Sequence, residues 1–149
     1  MLKLIDSMAE LETEQLLGIY REHGWDETDF LSYLREDFFR QPNAVYAVWV
    51  EDSEYKSAVR LEPYRDGLLL HSLETAPNDR RKGYAYNLVI HILDFLRTTN
   101  YKVVYSHIDK RNRASLALHR KCGFEIVADT ATYLDGTVTQ YSNTLCYSF

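Results

Sequence analysis

Between Leu68 and Ser106 the hydrophobic period of the chain changes twice. Leu68–Thr75 (LLLHSLET) reads as a strand. From about Arg81 to Thr98 the apolar residues Ala85, Leu88, Val89, Ile92, Leu93 and Leu96 recur at i, i+3, i+4, i+7, the stripe of an amphipathic helix. Lys102–Ser106 (KVVYS) is again a short buried strand. A strand, a helix and a strand in this order form a crossover between parallel neighbours, and such crossovers are right-handed. Further upstream, Ala44–Val50 (AVYAVWV) is a continuous apolar run, as in a strand covered on both faces. Together these segments restrict the chain to a layered arrangement of helices on a sheet.

The remaining segments fill out that arrangement. A short strand is expected at Leu2–Ile5. Glu10–His23 follows as a helix, with Leu16, Ile19, Tyr20 and His23 on one face and Gly24 as its stop. Thr28–Arg40 is a second helix, with Phe30, Leu31, Leu34 and Phe38 at helical spacing, ended by Pro42. Tyr55–Glu62 alternates, with Tyr55, Ser57, Val59 and Leu61 on one side, and Asp66-Gly67 is a hairpin turn. Arg113–Lys121 is a short helix closed by Gly123. Phe124–Ala128 and Thr137–Phe149 are two more strands, joined by a turn at Asp135-Gly136. The expected order is β-α-α-β-β-β-α-β-α-β-β, an α/β (α+β) fold with a mixed sheet and flanking helices.

No repeat, low-complexity tract or Pro/Gly/Ser linker divides the 149 residues, so residues 1–149 are expected to form one domain. No stretch approaches the ~18 apolar residues of a membrane span. The N-terminal MLKLIDSMAELETEQ turns acidic early and lacks the apolar core of a secretory signal. Cys122 and Cys146 are the only cysteines, and no His/Cys cluster accompanies them. That argues against a zinc site or a disulfide scaffold and fits a reducing compartment, so a cytoplasmic protein without a metal is expected.

Charge is unevenly spread. Residues 77–126 hold ten basic and four acidic side chains, whereas the rest of the chain holds seven basic and 18 acidic. A basic block in an acidic protein suggests an anionic ligand on that block. Its most pointed part is PNDRRKGYA, residues 77–85, where the strand hands over to the crossover helix. Helix starts present unpaired N–H groups and the positive end of the dipole. Gly83 allows a ligand close to the backbone, and Arg80, Arg81 and Lys82 add formal charge. The combination is a phosphate cradle. It matches neither G-x-G-x-x-G nor G-x-x-x-x-G-K-[ST].

A second segment, NRASLALHRKCGF (residues 112–124), joins the first, LETAPNDRRKGYA (73–85), about 30 residues on. The pair resembles the GCN5-related N-acetyltransferase (GNAT) superfamily. Its Q/R-x-x-G-x-G/A motif is matched by Arg80, Gly83 and Ala85. Its second motif is matched by Asn112, Leu118, His119, Gly123 and Phe124, with the small residue at Ala114 or Ser115. The resemblance extends over essentially the whole chain. It implies a mixed, splayed β-sheet with acetyl-coenzyme A as cosubstrate. The pyrophosphate would lie on the amides of Arg81, Lys82, Gly83, Tyr84, Ala85 and Tyr86, with the Arg80 and Lys82 side chains nearby. The pantetheine arm would run past Thr75 and Ala76, between strands that part company. Pro77, unable to donate a ladder hydrogen bond, suits a strand that leaves the sheet. Asn112, favourable as a helix N-cap, also contacts the cofactor in the family.

Acetyl transfer to an amine needs a neutral nucleophile, donors for the developing oxyanion and a proton for the departing sulfur. An alkylammonium near pKa ~10 is protonated at neutral pH, so a base or a water relay helps. Glu74, at the end of the strand that the family uses for this role, is the expected base, with His71 as a weaker candidate. A backbone N–H around Glu74–Ala76 is the expected oxyanion donor. Where many family members carry a tyrosine to protonate the thiolate, this chain has His119, which can donate or accept a proton near neutral pH. Cys122 has no evident base partner and reads as a packing residue. Tyr20, Tyr33, Tyr133 and Tyr141 either line an amine pocket or serve the sheet.

The reading is therefore an N-acetyltransferase acting on a primary amine of a small molecule or peptide, with no nucleic acid or membrane partner. A homodimer is possible through the C-terminal strands. The alternatives are an acyl-coenzyme A binder without turnover and a nucleic-acid-binding domain. Against the last stand the acidic total charge and the lack of aromatics between the cations.

Overall fold

The computed structural model describes all 149 residues. The strands are β1 (Leu2–Ile5), β2 (Val45–Glu51), β3 (Glu54–Tyr64), β4 (Gly67–Thr75), β5 (Val103–Asp109), β6 (Glu125–Ala128), β7 (Ala131–Thr132), β8 (Val138–Thr139) and β9 (Ser142–Ser148). The helices are α1 (Thr13–Tyr20), α2 (Glu27–Tyr33), α3 (Tyr84–Leu96) and α4 (Arg113–Lys121). Seven strands make one sheet in the order β1-β2-β3-β4-β5-β9-β6, and β7 and β8 pair separately. The β4–β5 pair is parallel and every other pair is antiparallel. The fold is thus a mixed α/β sheet flanked by helices, as the order of periods predicts. None of its helices is long and apolar enough to cross a membrane.

Helices cover both faces, so the central strands are buried on both sides. On one face α3 packs Leu88, Val89, Ile92, Leu93 and Leu96 against Val59, Leu61, Leu70, Val104 and Leu145. On the other, Leu16, Ile19 and Tyr20 of α1 and Phe30 of α2 pack with Tyr46, Val48, Tyr55 and Ala58. The parallel pair begins where Gly67 meets β5. A Cβ there would stand 2.1 Å from the Val103 carbonyl oxygen, so a glycine is needed for the strands to meet.

Local chemistry moves several expected boundaries. The first helix is α-helical only over Thr13–Tyr20 and continues as a 3₁₀ turn, Arg21–His23, ended by Gly24 at φ +69°. The second begins at the Asp26 cap, whose carboxylate accepts from the Asp29 N–H at 2.9 Å, and runs into a π-helical turn at Leu34–Phe38. The crossover helix starts at Tyr84 rather than Arg81, because Arg81 (φ +65°) and Gly83 (φ +83°) are left-handed. Tyr55 does not share a face with Val59 and Leu61. The β2–β3 register slips by one residue between Trp49 and Val50, and a slip of one exchanges the two faces. The turn at Asp135-Gly136 closes the small β7–β8 hairpin, and the segment expected as one strand over Thr137–Phe149 divides into β8 and β9.

Candidate active site

The β4–β5 ladder runs only from Leu68–Val104 to Leu70–Ser106, although the strands continue to Thr75 and Asp109. A bulge accounts for the parting. The β3–β4 register shifts between Ala58 and Arg60, and Ser72 in the extra position has φ +57°. Bulges bend the strand that carries them. This one is pinned from both sides. The Tyr20 hydroxyl donates to the Ser72 carbonyl (2.6 Å), and Arg60 Nη2 donates to Ser72 Oγ (2.5 Å). The result is a cleft of about 230 Å³ between the ends of β4 and β5, floored by Ser115 and His119 and bordered by Tyr20, His23 and Trp25.

The edge of β4 that faces this cleft has free backbone groups. Ala76 N–H is bonded to the Lys56 carbonyl (2.9 Å), on the β3 side. Strand alternation turns the Thr75 and Leu73 N–H groups the other way, toward the cleft. Of the expected oxyanion donors, Ala76 is therefore occupied. Thr75 N–H makes only a 3.3 Å contact with its neighbour Glu74 Oε1.

Beyond β4, Pro77–Asp79 forms one 3₁₀ turn, and the chain then enters the cradle. No backbone N–H from Arg80 to Tyr86 donates to a protein acceptor; the first helical bond runs from Asn87 N–H to the Gly83 carbonyl. Left-handed residues among consecutive amides make an anion-binding concavity, and the start of α3 adds its dipole. Nothing lies within 4 Å of a Cβ built on Gly83, so the space over it is open to a ligand. A pyrophosphate fits this donor set, and a linear amide chain fits the free edge of β4. The Arg80 side chain faces elsewhere, toward Glu22 (3.0 Å) and Glu74 (3.6 Å). Lys82 lies 3.4 Å from Asp79, and Arg81 has no carboxylate partner.

Four of the five histidines line the cleft. His23 Nε2 is 2.8 Å from Glu74 Oε2, and its ring stacks on Trp25 with centroids 4.9 Å apart. His71 Nε2 lies 3.0 Å from Glu62 Oε1, an ion-pair distance off the angle of a good hydrogen bond. Burial holds the His71 imidazole below its ordinary range, against the pull of Glu62. Burial does the same to His107, whose Nε2 has no partner. His119, 1 % exposed, is also lowered by burial. Its Nδ1 lies 2.8 Å from the Ser115 carbonyl and its Nε2 3.1 Å from Ser106 Oγ. A carbonyl only accepts, so Nδ1 carries the proton. Nε2 then accepts from the Ser106 hydroxyl and holds no proton of its own to give.

The model of the acetyltransferase (GNAT) family matches residues 5–124. The chain belongs to that family. No curated protein sequence matches it significantly. Among solved structures, it is similar in fold to the ribosomal-protein-alanine N-acetyltransferase of Brucella melitensis (20% identity, TM-score 0.75, 100% of this chain and 99% of the other). Aminoglycoside 6'-acetyltransferase type Ii matches at 16% identity and TM-score 0.74, over 99% and 96% of the two chains. The PaiA N-acetyltransferase of Thermoplasma acidophilum, solved with coenzyme A, matches at 12% identity and TM-score 0.66, over 100% and 99%.

In this GNAT chain the residues singled out from the sequence fall in two groups. Thr75 ends β4, Ala76 follows it, and the 80–86 stretch comes after the Pro77–Asp79 turn; none of these lines the cleft itself. Glu74 and His119 line the cleft on different walls, as does Asn112, whose Oδ1 caps α4 by accepting from the Ser115 N–H (3.1 Å). His23, Arg60, Ser72 and Ser106 were missed as site residues. His23 carried one available signal: it lies next to Gly24, at the end of a helix. The others sit in strands where nothing in the local pattern distinguishes them.

Proposed function

We propose that the protein moves the acetyl group of acetyl-coenzyme A directly to a primary amine of a small molecule or peptide. One observation supports this reading: the amides of residues 80–86, which have no protein acceptors, follow across a single 3₁₀ turn on the strand end whose ladder to β5 has stopped. A ligand with a pyrophosphate at one end and an amide-bearing arm at the other satisfies both. The arm brings a thioester, which supplies the activated acyl carbon, into the cleft beside Glu74.

The cleft's side chains divide the remaining work. Glu74 accepts the proton of the incoming ammonium, and His23, bonded to it and partly open to solvent, passes that proton outward. The N–H groups of Thr75 and Leu73 face the carbonyl oxygen on which negative charge builds. Ser106 and His119 form the polar floor at the sulfur end. With Nδ1–H fixed on Ser115, Nε2 of His119 orients the Ser106 hydroxyl at the sulfur, and the second proton that the amine sheds as the amide forms reaches the departing thiolate through that hydroxyl. The Arg80 backbone N–H, Lys82 and Asn112 complete the cofactor side. Cys122 stays outside this chemistry: burial pushes its thiol up to about 11, so it is no nucleophile near neutral pH. Residues 1–149 act as one catalytic domain in the cytoplasm, and a homodimer would use the edge strand β6, where Ile126 and Val127 are exposed.

The test is calorimetric titration with acetyl-coenzyme A, followed by a free-thiol assay against a panel of polyamines, aminoglycosides, amino acids and short peptides. Binding heat and amine-dependent thiol release are expected. Heat without release for any amine would leave an acyl-coenzyme A binder without turnover, and absence of heat would overturn both.

A further inference from the structure

Arg60 is a buried charge of which the bulge that opens the cleft uses only one N–H group. It sits in β3 behind the Ser72 bulge, 9 % exposed. Its one hydrogen bond runs from Nη2 to Ser72 Oγ, and Nε is buried without a partner. It takes part in no ion pair. Glu62, two residues along the strand, is shared between His71 (3.0 Å) and Gln41 (3.0 Å) instead. The guanidinium carbon lies 5.9 Å from the Phe30 ring centre and 5.2 Å from that of Tyr33.

A guanidinium withdrawn from water without a counter-ion is costly, and two ring faces offset only part of that cost. Arg60 also lines an opening of about 430 Å³ with Trp25, Asp26, Asp29, Phe30 and Tyr33. Trp25 borders this opening and the catalytic cleft alike. The rings already face one cation, so the opening is no aromatic cage for a second. Asp26 and Asp29 stand exposed on its rim, where salt screens them, and the Asp26 carboxylate is engaged in capping α2. The buried Glu62 carboxylate acts on Arg60 only through space, being bonded to Gln41 and set against His71, so the planar guanidinium fork is left without a bonded carboxylate, the group that it matches.

We propose that Arg60 receives a carboxylate of the acceptor, so that the preferred substrates are amino acids and close relatives bearing an amine and a carboxylate together. The carboxylate docks at Arg60, and the amine reaches past Trp25 to Glu74. This rests on the acetyl-transfer reading above and names the acceptor class within it.

The experiment compares each of the common amino acids with its decarboxylated amine, in wild type, Arg60→Met, Arg60→Lys and Ser72→Ala. For the best acceptor, wild type should favour the amino acid by about tenfold or more in kcat/KM, because a site built to bond a group rejects the analogue that lacks it. Arg60→Met should bring the ratio near one, and Arg60→Lys should restore part of it. Ser72→Ala breaks the bulge contact but leaves the charge, so it should slow both acceptors alike and keep the ratio. Equal or better turnover of the decarboxylated amines by wild type would overturn the proposal, as would a ratio that survives Arg60→Met. A second readout needs no turnover: titration of the coenzyme A-loaded protein with N-acetylphenylalanine and with N-acetylphenethylamine. Tighter binding of the first, abolished by Arg60→Met, supports the carboxylate site, and equal binding overturns it. Absence of transfer to every amine would sink the acetyl-transfer reading, while this titration would still decide the role of Arg60.

Discussion

Beyond the end of β4, successive backbone amides of residues 80–86 stand without protein acceptors. In the cleft and the opening beside it, Glu74, His23, Trp25 and Arg60 converge from β4, from the turn after α1 and from β3, and the charged and titratable groups there belong to side chains. The free amides are made by conformation, by two left-handed residues and a helix start. The groups in the cleft depend on side-chain identity, so under the proposed function the two ends are expected to be separable.

The largest expected effect tests whether the ends are separable. Glu74→Gln should lower kcat by about 10²–10⁴-fold, the range of a lost general base, and leave the calorimetric affinity for acetyl-coenzyme A within a few-fold. A parallel loss of cofactor affinity would break the comparison. Gly83→Val is the converse. A β-branched residue at φ +83° is strained, and the loop would close over its own amides. Affinity for acetyl-coenzyme A should fall by about ten- to a hundredfold, roughly 1.4–2.8 kcal/mol, whereas the amino-acid to amine ratio at saturating donor should stay as in wild type.

Acid sharpens the comparison through stability. His71, His107 and His119 all have folded pKa values held down by burial. Below the ordinary histidine pKa of about 6.5 the unfolded chain takes up protons that the folded chain resists, so unfolding gains from acid. The melting temperature should fall as pH drops from about 7.5 toward 5.5, and His107→Gln should flatten the slope. A level profile in wild type would contradict the burial of these rings. The smallest effect belongs to Asn112→Ala. Loss of the α4 cap should cost about 1 kcal/mol in chemical denaturation, with a modest rise in the KM for acetyl-coenzyme A.

Much of this was legible in the sequence because it depends on local periodicity. The α4 limits, Arg113–Lys121, match the expected ones, and the apolar stripe of α3 is buried as its spacing requires. Helix ends were harder to place, because a 3₁₀ turn, a π-helical turn or a left-handed arginine does not alter the apolar period that marks the helix. Bulges were invisible for a different reason. They exist only as a mismatch between two strands, so neither the displaced face of Tyr55 nor the turned Ser72 has a signature in its own segment.

The sequence by itself determined the layered α/β arrangement, the parallel crossover and the glycine turn before the crossover helix, because each follows from residues within one continuous segment. Only the tertiary structure decided that Glu74 meets His23, that His119 holds Ser106 while its own proton faces Ser115, and that Arg60 lies buried without an ion-pair partner. Those pairings join residues up to 51 positions apart, and burial and charge balance are properties of surroundings that no single stretch of chain contains.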